Sequence, residues 1–459
     1  MTVLSENIRS RASCLWWKRL AFAGLLAALV VVVSACGDSK SKAKSDVDSA
    51  VKSTAAELPV AKRGLLTIQT AMVGDPGNHS VGVWQVFRTV GASGAGVTLP
   101  PNNSTGIYKS CADAPSSAPS CLTVGGVKDT YGIGEFEITV SQYVTFLNTA
   151  DPAGKNLRQL YEDHMNPTVW PRYGSIAYSS SAAFGAHYAV AYPEWAQKPF
   201  AFGDFRRGAE FVNSLFNGKV LSKTSSSSGG FKYVTYKVRL SPRTESGMYD
   251  MKSETPTRQA STGFVLPSND QWVKAAYFDP KGGGTDSYWL YPTGPFKQPN
   301  IAVLDKATGD VTNADKQPLA TYNPNDPTST VTPGAPPGAA PNWCPSQAGS
   351  NCDALPADLP QAFQKVYMSN VSTVGQAKTP SPWGAYDMGG NVVEHTDSLA
   401  PQPPGYHFIR DWRYYHGGVA NAPAYQVAIY GFGYFPGDPQ AGRLYPWMGF
   451  RVAVIGDLK

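Results

Sequence analysis

The chain has 459 residues, among them 45 glycines and 37 prolines, with 12% aromatic and 16% charged residues. That Gly/Pro share exceeds the roughly 12% usual for globular chains, and the charged share is low, which excludes coiled coils, helical solenoids and charge-rich disordered proteins. The formal charge of +5 lies wholly in the first 63 residues, with ten Lys/Arg against five Asp/Glu; the other 396 carry 29 of each sign. The body therefore lacks the basic excess that electrostatic nucleic-acid binding needs.

In chain order, Arg9, Arg11, Lys18 and Arg19 precede an apolar run from Leu20 to Val33, followed by the small residues Ser34 and Ala35. This is the layout of a secretory signal, and the run is shorter than the roughly 20 residues a membrane span requires. Val33-Ser34-Ala35-Cys36 resembles a bacterial lipobox, which predicts cleavage after residue 35 and a diacylglycerol thioether on Cys36. The expected destination is extracytoplasmic and lipid-anchored, in the outer membrane if the cell has one, since Gly37 rather than Asp follows the cysteine. Residues 36–63 are Ser/Lys/Ala/Asp-rich and read as a flexible tether.

Of six cysteines, Cys14 leaves with the signal and Cys36 is the lipidation site. Cys111, Cys121, Cys344 and Cys352 remain, an even set in an exported chain, which suggests disulfides. Three connectivities are open. The local pairs Cys111–Cys121 and Cys344–Cys352 are preferred because each closes a short Pro/Ser/Ala-rich loop. Neither has the C-x-x-C spacing of a zinc site.

Residues 64–130 alternate short apolar runs with Gly, Pro, Asn and Ser, predicting short strands and turns. Tyr131 to Ile138 reads as a strand. Thr139 and Gln142 then form a T-x-x-Q capping box, after which Tyr143, Val144, Phe146 and Leu147 share one helical face. A second helix is predicted from about Phe205 to Phe216, with Asp204 as N-cap and Gly218 past its end. A third starts at Ser268, again closed by Gln271, and buries Trp272, Val273, Ala276 and Tyr277. Residues 323–360 read as a Pro-rich surface insertion. Without an internal repeat, the pattern predicts an irregular, loop-rich α+β domain over 64–459.

Four segments now carry a family resemblance. Gly134-Glu135-Phe136-Glu137-Ile138-Thr139 continues through Gln142-Tyr143 to Phe146-Leu147-Asn148. Leu266-Pro267-Ser268-Asn269-Asp270-Gln271-Trp272 leads into Ala275-Ala276. Gly384-Ala385-Tyr386-Asp387-Met388-Gly389-Gly390-Asn391-Val392-Val393-Glu394 and the closing Gly449-Phe450-Arg451-Val452-Ala453 complete the set. In order and spacing these are similar to the landmarks of the formylglycine-generating-enzyme, or sulfatase-modifying-factor, family over roughly residues 70–455. The resemblance implies a fold related to C-type lectins, with bound calcium. It assigns the calcium to side-chain oxygens of Asp387 and Glu394 and carbonyls of Gly390 and Val392; calcium takes six to eight such hard oxygens. A second family site is matched by Asn300-Ile301, with only Asn370 where its acidic partner is expected.

Active members of that family resemble one another in a C-terminal cysteine pair that binds copper, a soft-ligand site. The corresponding stretch here, roughly Ala428 to Pro436, has no cysteine. Val393 and His395 also stand where the family carries tryptophans, and His416-Gly417-Gly418-Val419-Ala420 replaces an R-G-G-S-W segment. Copper-dependent formylglycine synthesis is therefore not expected. The histidines His79, His164, His187, His395, His407 and His416 read as polar groups of an aromatic-rich surface; the alternative is a metal or acid–base constellation of the last three with Asp397 and Asp411. The aromatic clusters Tyr406–Tyr415 and Tyr425–Tyr445 are either core or a ligand groove. No H-E-x-x-H, G-x-S-x-G, P-loop or dinucleotide fingerprint occurs. The expected function is a membrane-anchored module binding a protein, peptide or glycan, with no nucleic-acid partner. The alternative readings are a divergent maturation oxidoreductase of the same family and a structural envelope protein.

Overall fold

The computed structural model describes residues 64–84, 105–115, 121–167, 175–305, 308, 310–322, 371–401, 411–418, 427–436 and 447–458. All belong to one compact unit, Val51–Lys459. The signal, the tether, the 323–360 insertion, Cys36, Cys344, Cys352, Asn370 and His407 lie outside the described residues. Within them, no helix is long and apolar enough to cross a membrane.

The strands come first in short runs: β1 (Leu65–Val73), β2 (Val81–Trp84), β3 (Ile107–Tyr108), β4 (Cys121–Val124) and β5 (Tyr131–Gly134) precede helix α1 (Val140–Ala150). Then follow β6 (Ile176–Tyr178), β7 (Tyr188–Val190), α2 (Phe205–Phe216), the hairpin β8 (Lys219–Ser228) and β9 (Phe231–Arg239), β10 (Gly263–Val265) and α3 (Asn269–Tyr277). The last group is β11 (Asn300–Ile301), β12 (Leu319–Ala320), β13 (Val393–Leu399), β14 (Trp412–His416), β15 (Gly433–Pro436), β16 (Met448–Gly449) and β17 (Ala453–Ile455).

The α+β, lectin-related expectation is corrected here. The described chain is mostly β, its strands pairing antiparallel except β11–β12 and β13–β16, and it has only three short α-helices, of 11, 12 and 9 residues. No C-type lectin relation follows from this arrangement. The cause of the error is physical: a capped helix advertises itself through side chains, whereas strands of two to four residues are too short to show a period of two.

The main sheet runs β10-β17-β5-β1-β9-β8, so that the C-terminal strand lies between two earlier ones. A second sheet, β15-β14-β13-β16, carries the Glu394 strand. The helices form where their caps dictate. Thr139 Oγ1 accepts from Gln142 N–H at 3.3 Å while Gln142 Oε1 accepts from Thr139 N–H at 2.9 Å. Asp204 Oδ1 accepts from Arg207 N–H at 2.8 Å. Ser268 and Gln271 repeat the reciprocal box. Each satisfies donors that the first helical turn leaves open. The apolar faces then meet in one aromatic cluster: Tyr143 of α1 stacks on Phe200 at 3.5 Å, and Phe211 of α2 contacts both Phe146 and Phe450. Each fully buried ring contributes about 2 kcal/mol. Phe450 thus draws the Gly449–Arg451 segment into the core, which places Arg451.

Cys111 and Cys121 form the expected disulfide, beside the small β3-β2-β4 sheet. The predicted Tyr131–Ile138 strand stops at Gly134, where the chain bends and turns Glu137 inward.

Candidate functional site

The bend after β5, helix α3, the 387–394 turn and the segment before β17 converge on one buried point. Glu394, on β13, is wholly buried. Its Oε2 accepts from Arg451 Nε at 2.6 Å and from Trp272 Nε1 at 2.9 Å; its Oε1 accepts from Arg451 Nη2 at 2.5 Å. Arg451, also wholly buried, gives two further N–H groups to the carbonyls of Gly134 and Tyr386, both at 3.0 Å. The guanidinium fork suits this planar, bidentate task.

Two further carboxylates face the same cluster. Glu137 is 1% exposed; its Oε1 accepts from Asn391 Nδ2 at 3.2 Å, and its Oε2 has no hydrogen-bond partner. Burial first, and then the Asp387 charge, push its carboxyl well above the usual range, although Arg451 pulls the other way. Asp387 Oδ2 accepts from Gly375 N–H at 2.5 Å, and burial raises its carboxyl to about 6. Asp387, Gly390 and Asn391 take left-handed φ values of 54°, 95° and 64°. At Gly390 that geometry is needed twice over, because a Cβ would also lie 2.1 Å from the Thr321 carbonyl oxygen.

Of the calcium residues that the resemblance implies, Asp387, Gly390, Val392 and Glu394 fall in this one turn. They do not fit calcium equally. Both Glu394 oxygens are closed by Arg451 and Trp272, and a guanidinium alongside repels a second cation. The open carboxylate oxygen belongs instead to Glu137, which was legible only as a motif letter. Among the described residues, no group of three or more His, Cys, Asp or Glu side chains converges as a metal shell. At the other implied pair, Asn300 Nδ2 donates to the Lys316 carbonyl at 2.7 Å, and the Ile301 carbonyl accepts from Asn313 Nδ2 at 2.9 Å, closing the β11–β12 arch.

The histidine reading is corrected at three positions. His187, His395 and His416 are buried, not part of a surface. His416 stacks on Trp272 at 4.5 Å and its Nε2 bonds Asn269 Oδ1 at 2.6 Å. Neither His395 nitrogen has a partner. Burial holds both rings neutral, with pKa values lowered to about 3, and Arg413 adds to the effect at His395. Of the two aromatic clusters, residues 406–410, 425–426 and 437–445 lie outside the described residues; within them Trp412, Tyr414 and Phe432 are buried. A cleft of about 290 Å³ opens elsewhere, beside the β5–α1 bend, lined by Gln69, Phe136, Gln142, Gln197, Thr373 and Val374 among others.

No protein-family model matches this chain, and no curated protein does. Among solved structures, Treponema denticola variable protein 1 is similar with a TM-score of 0.36 and 16% identity, over 87% of this chain and 100% of that one. PvdO from Pseudomonas aeruginosa is similar with a TM-score of 0.35 and 11% identity, over 85% of this chain and 94% of that one.

Proposed function

We propose that the protein is a lipid-anchored, extracytoplasmic module of the formylglycine-generating-enzyme type that lacks the copper cysteines and acts by binding rather than by oxidation. The observation that carries this reading is the convergence of the four resemblance segments. Glu137, Trp272, Glu394 with Asp387, and Arg451 come from the four in turn, yet they share a single buried network across sequence separations of up to 317 residues. Residues kept together by one packed network make the resemblance more than four independent short matches. The oxidation chemistry has no residue to run on, since no cysteine follows Cys352. Calcium would supply structural charge neutralisation at the 387–394 turn.

The cleft at the β5–α1 bend is the place for a ligand. Its accessible side chains are amides, a threonine, Val374 and the half-buried Phe136 ring, and the one carboxylate bordering it, Glu137, is buried. Uncharged amides beside an aromatic face suit a neutral peptide or glycan.

The test is direct. The full chain, solubilised in detergent and loaded with copper(I), is incubated in air with a peptide containing C-x-P-x-R, and the peptide is read by mass spectrometry. No aldehyde product is expected; formylglycine in the peptide overturns the reading.

A further inference from the structure

We propose that the cleft beside the β5–α1 bend binds the neutral end of a glycan, with a sugar ring laid against Phe136 and its hydroxyls read by Gln69, Gln197 and Thr373. This rests on the binding role of the proposed function and goes beyond it in choosing glycan over peptide. At about 290 Å³ the cleft stands at the small end of ligand sites, with room for about one or two sugar rings.

The groups left open in the wall decide between the two ligands. An extended peptide is held mainly through its main chain, which needs a row of open backbone N–H and C=O groups. Here the backbone of the wall is already engaged. The Gln69 carbonyl accepts from Glu135 N–H at 2.9 Å, and Gly134 N–H donates to the Val452 carbonyl at 2.7 Å. Ile138 N–H donates to the Phe450 carbonyl at 2.9 Å, and its own carbonyl accepts from Phe200 N–H at 2.7 Å. Val374 N–H donates to the Gln197 carbonyl at 3.1 Å. Recognition therefore falls to side chains. The Gln142 amide is spent on Thr139 N–H and on the Thr67 carbonyl. Gln69, Gln197 and Thr373, by contrast, make no side-chain hydrogen bond among the described residues, and none of the three is buried. Amides and hydroxyls both donate and accept, which is the double role of every sugar hydroxyl. Phe136 supplies the apolar complement to the flat C–H face of a pyranose. Its ring is fixed: Tyr386 stacks on it at 5.5 Å with 27° between planes, and Gly375, at φ 75°, leaves the space in which a Cβ would collide with it. The one charged residue in the wall, Glu137, is 1% exposed, so nothing there balances an acidic sugar.

The experiment uses the full chain in a zwitterionic detergent, because sugar-headed detergents would compete. Biolayer interferometry measures binding to immobilised neutral oligosaccharides of glucose, galactose, mannose and N-acetylglucosamine, to the same chains carrying a uronic or sialic acid, and to uncharged capped peptides. A neutral oligosaccharide is expected to bind. Phe136→Leu, which keeps bulk but removes the ring face, should weaken it on the order of tenfold. Gln197→Ala, at an exposed position, should weaken it about two- to tenfold with the melting temperature unchanged. If an uncharged peptide binds instead and these variants weaken it, the glycan assignment is wrong and the binding role survives. Preference for the acidic chains overturns the assignment as well. If no probe binds, the proposal and the binding role both fall. Neutral-glycan binding that neither variant weakens places the site elsewhere and overturns the proposal. Should Phe136→Leu not fold, Gln197→Ala combined with Thr373→Val decides, and unchanged affinity there is the refuting result.

Discussion

Replacing Arg451 by methionine tests the centre of the buried network. The substitution keeps the alkyl stem and removes the guanidinium. Glu394, wholly buried, then retains a single donor, Trp272 Nε1, and the carbonyls of Gly134 and Tyr386 lose theirs. Breaking a buried ion pair from one side costs about 3–5 kcal/mol, because the charge left behind has no water to turn to. The two orphaned carbonyls push the loss toward the upper end. With a domain stability of about 5–15 kcal/mol, such a loss removes a third or more of the total. Urea unfolding followed by tryptophan fluorescence measures it, provided the slope against denaturant is unchanged. Glu394→Gln is expected to cost less, since Arg451 still faces the charges of Glu137 and Asp387. Arg451→Lys should rescue little, since one ammonium cannot span both carboxylate oxygens and two carbonyls. An Arg451→Met variant within about 1 kcal/mol of wild type would refute the picture of a closed pair and mean that water reaches Glu394.

Four other outcomes are expected. His395→Leu removes two buried nitrogens without partners and should stabilise the fold by about 1–3 kcal/mol in urea unfolding. The wild type should lose stability in acid: with native pKa values near 3 at His395 and His416 and an unfolded value near 6.5, the unfolded chain binds more protons between those limits, so stability is full above about pH 6.5 and falls by up to about 1.4 kcal/mol per pH unit for each histidine as pH drops toward 3. His395→Leu should make that slope shallower, and an unchanged slope would contradict the assignment. Reducing the Cys111–Cys121 bridge, which closes a separation of 10 residues, should cost about 3 kcal/mol and lower the melting temperature in dithiothreitol; a melt insensitive to reductant would show that the bridge does not constrain the fold. Cys36→Ser should abolish incorporation of labelled fatty acid and leave the precursor uncut; normal processing would refute the lipobox.

The parts of this fold that could be read in advance are those in which a side chain closes its own local structure. Thr139 with Gln142, Asp204, and Ser268 with Gln271 set the starts of α1, α2 and α3, because capping is a contact between residues three apart. The β8–β9 hairpin escaped notice although Gly229-Gly230, with φ values of 59° and 86°, is a turn signal, and Phe231–Arg239 partly alternates. The obstacle was β8. As an edge strand exposed on nearly all its length, Lys219–Ser228 has no buried face, and its serines show no apolar period.

The site divides along the same line. Asp387 and Glu394 stand in one eight-residue turn, so motif spacing could bring them together. What spacing could not supply was the choice between them. That choice depends on Arg451, 57 residues further on, and on Trp272, 122 residues before, which together saturate Glu394. Glu137, 254 residues from its Asn391 donor, was in view only as the fourth letter of a motif. Its importance comes from the strand ending at Gly134. Had the alternation run on to Ile138, Glu137 would have taken a place in a pleated edge. The bend turns it inward instead, where burial pushes its carboxyl well above the usual range and one of its oxygens has no hydrogen-bond partner.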